Sequence, residues 1–355
     1  MVIVTIIIFI FILALLIFIH EIGHFIAARL AGVKVEEFGM GFPPRLFAVK
    51  RGETVYSFNL IPLGGFCKLL GEEDPSEPRS LASKRPLVRL FVLGAGSFMM
   101  FVLPFVLLPI GYMIPHEVIT GGEGLQVSRV ESGSPAEEAG IKVDDMILSV
   151  DGEPVHTFEE LQEVIDSKLG SETMMVVSRG SAEVEVFMVP RADPPRGQGP
   201  LGIGLEWATV LTERRAYLPW EAIPMGVKDG GRMFVLIEES VESLIRGDEP
   251  FAPLGIVGAG QAGVEIVAEW GLFSLVAWAC LISIQLGIIN LLPIPALDGG
   301  RIVFVLIEVA RRGKRVSPRT EGMVHLAGFL MLISLVMLLF GSDIARLIRG
   351  ETLLP

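Results

Sequence analysis

The sequence predicts a polytopic α-helical membrane protein: four transmembrane helices, a membrane-associated β-hairpin and one inserted extracytoplasmic α/β domain. Three observations lead there. Of the 355 residues 51% are hydrophobic and mean hydropathy is positive, which is unusual for a water-soluble protein. The apolar residues gather into four runs, and crossing a bilayer takes about 20 residues of helix. Between the second and third runs lies a long acidic stretch in which short alternating segments and an amphipathic segment follow one another, the pattern of a small α/β module. The formal net charge of −12 argues against nucleic acid as a partner. Cys67 and Cys280 give neither a disulfide framework nor a CxxC metal site, and read as core or membrane-facing residues.

The first run, about Val2–Ala28, has no basic segment before it, is longer than a signal-peptide core, and shows no small-residue cleavage site before its histidines. A retained transmembrane helix is expected. It ends in His20-Glu21-Ile22-Gly23-His24, an HExxH zinc signature. Residues four apart on an α-helix lie within roughly 40° of each other, so His20 and His24 can hold one metal ion. Glu21 sits to the side, where a carboxylate can take a proton from water activated by the metal. Ionisable groups at the edge of hydrocarbon are costly, which makes an intramembrane function the default reading.

The loop that follows contains Val55–Leu60, which alternates like a strand, and then Ile61-Pro62-Leu63-Gly64-Gly65-Phe66. It is either a hairpin dipping towards the membrane against protein or a wet cavity, or an ordinary cytoplasmic hairpin. The second span is expected at about Leu87–Met113, with Pro104 and Pro109 as candidate kinks. The third is expected at about Leu272–Leu292 and the fourth at about Met323–Phe340. The first loop carries Arg45, Lys50, Arg51, Lys84, Arg85 and Arg89, and the last loop Arg301, Arg311, Arg312, Lys314, Arg315 and Arg319. The positive-inside rule places both loops in the cytoplasm, and both termini and the acidic domain outside. The histidines then lie near the cytoplasmic end of the first span. The expected divisions are 1–113, 114–210, 211–270 and 271–355.

In the acidic domain, Leu125–Val130 reads as a strand, Ser134-Pro135-Ala136 as the start of a short helix ending near Gly140, and Met146–Val150 as a strand closed by Asp151-Gly152. Thr157-Phe158-Glu159-Glu160 is a capping box opening a helix to about Lys168. Thr173–Ser178 and Val184–Val189 read as a strand pair. With SPAEEAGIKVDDMILSVDG, this pattern resembles a PDZ domain in the bacterial arrangement whose carboxylate-binding strand comes last. The resemblance implies that Leu201, Gly202, Ile203 and Gly204 capture a peptide C-terminus, with helix 158–168 walling the groove. A spacer that binds nothing and acts as a steric filter stays open. Asp144 stands where PDZ domains of this kind usually have glycine. Residues 218–250 read as an amphipathic helical connector.

A catalytic zinc needs three protein ligands and an open position, and the HExxH helix supplies two. The best candidate for the third is Asp298, in Asn290-Leu291-Leu292-Pro293-Ile294-Pro295-Ala296-Leu297-Asp298-Gly299-Gly300; alone, it also reads as a helix N-cap. HExxH in the first span, NxxPxPxLDG after a later one and a PDZ-like insert together resemble the site-2 protease family of intramembrane zinc metalloproteases. GMGFPPRLF, IPLGGFCKLLGE, PLGIV at 253–257 and DGGRIVFVLIEVARRGKRVS extend the likeness. The resemblance implies that His20, His24 and Asp298 ligate one Zn2+ and that Glu21 is the general base. It implies that Asn290 donates to substrate backbone or oxyanion, that Pro293 and Pro295 shape the broken segment, and that the Gly64-Gly65 hairpin holds the substrate. The substrate implied is a single-pass membrane protein whose outer part a site-1-type protease has already trimmed, such as an anti-sigma factor, or a signal-peptide remnant. The chain departs from the family at Gly96-Ser97, Met100, Phe66 and Leu69, and carries one PDZ-like module where some relatives have two. The rival readings are a non-catalytic PDZ membrane scaffold with a structural metal, against which Glu21 stands, and a metal transporter, which would need polar residues along the second and fourth spans.

Overall fold

The computed structural model describes residues 2–180, 182–195, 197–246, 260, 263 and 271–349. PLGIV at 253–257 and the end of the connector lie outside them. The chain divides into two compact units, one of residues 1–116 and 216–355, the other Glu117–Arg215.

In the first unit, helix α1 spans Val2–Leu30. Strands β1 (Val35–Arg51) and β2 (Thr54–Leu69) follow. Helices α2 (Pro86–Val102) and α3 (Pro104–Met113) share one apolar stretch, because Leu103 between them keeps right-handed helical angles. Two elements expected as loop are ordered, and a third begins early. Strand β1 was hidden by Gly39, Gly41, Pro43 and Pro44, which interrupt its alternation. It pairs twice: Glu37 to Met40 face Gly65 to Lys68 on one side and Val55 to Phe58 on the other. The hairpin is thus a small bulged sheet whose segment Gly65–Leu69 forms one edge. The loop after the third span, helix α7 (Leu272–Leu291), contains helix α8 (Asp298–Ala310). The last helix, α9 (Pro318–Arg349), starts five residues before the apolar run because Ser317 accepts from the Thr320 amide at 3.2 Å, an N-terminal cap. Helix α6 (Pro219–Arg246) lays Gly226 on Pro109 and Phe234 on Phe101 and Phe105.

Among the described residues, four helical stretches are long and apolar enough to cross a membrane: Ile8–Leu30, Pro86–Met113, Phe273–Leu291 and Pro318–Arg346. One core joins Ala27, Ala28, Val33, Val35, Leu69, Val92, Leu93 and Val305, so α1, the sheet, α2 and α8 converge at one end. A second joins Leu16, Met100 and Leu103 with Ile282 and Leu286 of α7. The buried Ser283 hydroxyl donates to the Met100 carbonyl at 2.7 Å, tying α7 to α2. At the converging end, Arg89 of α2 is buried against Glu308 of α8, which also accepts from Arg315 at 3.0 Å. Burial pushes the Glu308 carboxyl up, but Arg89 and Arg315 hold it below the ordinary range.

The second unit has sheet order β7-β6-β4-β3-β8, with β5 beside β4. The strands are β3 (His116–Val130), β4 (Met146–Val150), β5 (Glu153–Pro154), β6 (Thr173–Arg179), β7 (Ala182–Met188) and β8 (Ile203–Arg215). Helices α4 (Pro135–Glu138) and α5 (Phe158–Ser167) complete it around a core of Leu125, Val127, Ile147, Val150, Leu161, Ile165, Met175 and Val177. The capping box of Thr157 and Glu160 is formed. Strand β3 begins before the expected Leu125 and β8 runs on to Arg215; Gly122 leaves room for Trp207 and Thr120 donates to Leu211 at 3.2 Å. Asp144 has φ +71, the left-handed region that glycine enters freely and Asp tolerates, which accounts for the glycine usual there.

Candidate metal centre

The i, i+4 spacing on α1 puts His20 and His24 on one face, their rings 4.8 Å apart. Both are buried, at 6% and 7% exposure. The Asp298 carboxylate arrives from the first turn of α8: its Oδ2 lies 3.0 Å from Nε2 of His20 and 3.1 Å from Nε2 of His24. The two Nε2 atoms are 3.1 Å apart. Asp298 is not the N-cap; Leu297 is, and no side chain caps this helix. The glycines that follow serve close approach, since a Cβ on Gly300 would stand 2.5 Å from the Ile294 carbonyl.

The donor set fits zinc. Ring nitrogen Nδ1 of His24 donates to the Val92 carbonyl at 2.9 Å, so in the neutral ring Nε2 carries a lone pair. That lone pair faces a carboxylate oxygen, and two acceptors held together call for a cation between them. Ligands about 2.0–2.1 Å from a tetrahedral zinc are about 3.3 Å from one another, close to the three separations seen here. The Val92 contact is of the kind by which an outer-sphere partner orients a metal-binding imidazole. Among the described residues, His20, His24 and Asp298 are the group of this kind able to hold a metal.

Helix α2 is shaped to admit the imidazoles. A Cβ on Gly96 would collide with Nε2 of His24 and stand 2.6 Å from Nε2 of His20. Gly23, inside the HExxH, lies against the Ala95 carbonyl, and a Cβ there would be 2.8 Å from Cγ of Met99. Neither role was visible in the sequence, where Gly96-Ser97 was noted only for standing in place of the family's Gly-Pro; paired small residues on two spanning helices were the available signal.

A cavity of about 370 Å³ opens beside the ligands, lined by Glu21, His24, Asp298, Ala296, Arg301 and the sheet edge Phe66–Leu69, with Glu72 and Leu93. Glu21 borders it next to the two ligands and faces the Cys67 main-chain amide. A Cβ on Gly65 would be 3.6 Å from Cγ of Glu21, while Gly64 lies against Ile17. Arg301 pairs with Glu72 at 2.6 Å, tying α8 to the end of β2. Cys67 lines the cavity, which the sequence did not reveal; it is not one of the grouped donors, and burial, then Glu21 and Glu72, push its thiol far above the ordinary range. Asn290 lies half-buried in the last turn of α7 and Pro293 is exposed beyond it; neither lines the cavity.

In the second unit, a groove of about 230 Å³ is lined by Phe158, Leu161, Gln162, Ile165 and Asp166 of α5, Gly199–Ile203, and Leu205. Leu201, Gly202 and Ile203 thus border it. Gly204 turns away towards Ser128 and Arg129 of β3.

Residues 8–335 match the sequence profile of peptidase family M50. Proteins named "putative zinc metalloprotease" from Clostridium perfringens and Nostoc sp. are 34% and 32% identical to the chain. The first alignment covers 93% of this chain and 95% of the relative, the second 95% and 94%. Zinc metalloprotease RasP of Oceanobacillus iheyensis is 28% identical over 97% of this chain and 99% of its own.

Proposed function

The chain belongs to peptidase family M50, and from its membrane helices and metal cluster we propose that it cuts single-pass membrane proteins within or beside their membrane segment, with His20, His24 and Asp298 as the zinc ligands. It is an intramembrane zinc metalloprotease. The observation that carries the assignment of residues is the convergence of two buried imidazoles and one carboxylate beside Glu21 in a cavity walled by a strand edge.

Zinc, when bound, supplies a Lewis acid that polarises the scissile carbonyl and lowers the pKa of water. Glu21 takes the proton of the attacking water and delivers it to the leaving amine. The main chain of Gly65–Leu69 receives an unwound substrate segment as an added strand, and helix-weakening residues in the substrate ease the unwinding. Asn290 donates to substrate backbone at the rim of the site, and Pro293 shapes the approach.

The chain spans the membrane four times, with the basic loops in the cytoplasm and both termini and the PDZ-like domain outside. The substrate has lost its outer domain to a site-1-type protease; anti-sigma factors and signal-peptide remnants fit. The apolar groove beside α5 takes the new C-terminus, or the domain bars substrates that are untrimmed.

The test is cleavage of a tagged, trimmed single-pass substrate in proteoliposomes by wild type and Glu21→Gln, with zinc content measured on both. We expect the variant to keep its zinc and lose activity by at least about 10²-fold. Equal cleavage by both would remove Glu21 from the mechanism. Zinc bound by both with no cleavage of several such substrates would favour a scaffold.

A further inference from the structure

Asp298 follows a strained turn. Ala296, two residues before it, has φ +79, a left-handed conformation costly for a residue bearing a Cβ. Such a turn persists only where its surroundings hold it. Beside its own Leu297 N–H to Ile294 carbonyl bond at 3.2 Å, this one is held by α9. The Ala296 main-chain N–H donates to Nδ1 of His325 at 2.9 Å. One turn further along α9, Gly328 lies against Pro295: a Cβ there would stand 2.5 Å from Cβ of Pro295 and collide with its carbonyl. The His325 ring also packs on Phe304 of α8, 5.4 Å between centroids. The rest of α9 is little covered, with 6% of its most apolar window buried.

Because Nδ1 accepts from an amide, the ring proton of neutral His325 is on Nε2. That atom is buried and has no hydrogen-bond partner among the described residues. A buried donor left unpaired is destabilising, and a phenylalanine would fill the same space without one. Packing alone therefore does not account for a histidine at this place; the acceptor does.

We infer that His325 is a positioning residue, which acts through the Ala296 amide to fix the turn that presents the Asp298 carboxylate to His20 and His24. This rests on the reading of Asp298 as a zinc ligand.

The test uses the full chain in detergent: wild type, His325→Phe, His325→Gln and Asp298→Asn. Zinc affinity is measured by chelator competition, the absorption bands of the cobalt-substituted protein are recorded, and kcat and KM are taken on a trimmed single-pass substrate. His325→Phe should bind zinc about tenfold more weakly, as for outer-sphere partners elsewhere, shift the cobalt bands, and lower kcat with KM unchanged. His325→Gln, whose side-chain carbonyl can accept the amide, should restore most of the affinity. Wild-type affinity and cobalt bands in His325→Phe would overturn the inference, as would a Gln variant as weak as Phe. Undiminished zinc affinity in Asp298→Asn would overturn the ligand set and this inference with it; zinc lost in Asp298→Asn but kept in His325→Phe would overturn the inference alone.

Discussion

Residue identity at the metal centre is set as much by what must be missing as by what must be present. Gly96 is the clearest case, since a single added methyl would meet both imidazoles. Gly96→Ala is expected to weaken zinc binding by about 10–100-fold, the range seen when support around a metal is disturbed, and activity should fall with it. Gly94, two residues earlier, has open space where its Cβ would be, so Gly94→Ala should leave zinc affinity unchanged. Chelator competition on the two variants checks this, and equal losses would mean that the glycines serve the helix rather than the centre. The three candidate ligands were legible in the sequence, because HExxH and LDG join chemistry to fixed spacing, and the fold brings them together. The places of Cys67 and His325 were not: one lies in a family-matched stretch that assigns it no role, the other is a lone histidine in an apolar helix.

At the scale of elements, the second unit holds a buried carboxylate paired with a partly exposed arginine. Asp145, 1% exposed, accepts from Arg179 at 2.7 and 2.6 Å and from the Lys142 amide at 2.8 Å. The hydrogen bonds from Arg179 hold its carboxyl below the ordinary range despite burial. A depressed carboxylate binds its proton more weakly folded than unfolded. Its contribution is therefore complete above the unfolded value of about 4 and lost as pH falls through the folded one. Asp145→Asn should lower the melting temperature of residues 117–215 at pH 7, and its gap to the wild type should close on acidification below about pH 4. A gap independent of pH would mean that shape, not charge, is what the pair supplies. The elements set by local chemistry were readable beforehand, as with the Thr157 capping box and β4. Those set by distant partners were not. Strand β1 is held by pairing on both sides across its glycines and prolines, and α8 begins at a glycine pair that reads as a break until the carbonyls beside it are seen.

For the whole molecule, the two units have separate cores, so each should stand without the other. Residues 117–215 expressed alone should melt cooperatively, and a chain with that segment replaced by a short flexible linker should keep wild-type zinc affinity. Loss of zinc from the linked chain would show that the centre needs the inserted unit. The helix that carries HExxH also bears on what can be transplanted. His20, Glu21 and His24 alternate with Gly23, whose missing side chain lets α2 come near enough for Gly96 to admit the rings and for Val92 to hold His24. The five-letter motif is therefore half chemistry and half fit. A designer who copied only the three reactive letters into another spanning helix would obtain histidines with nowhere to converge; the smallest portable piece is the helix pair together with the turn that brings Asp298.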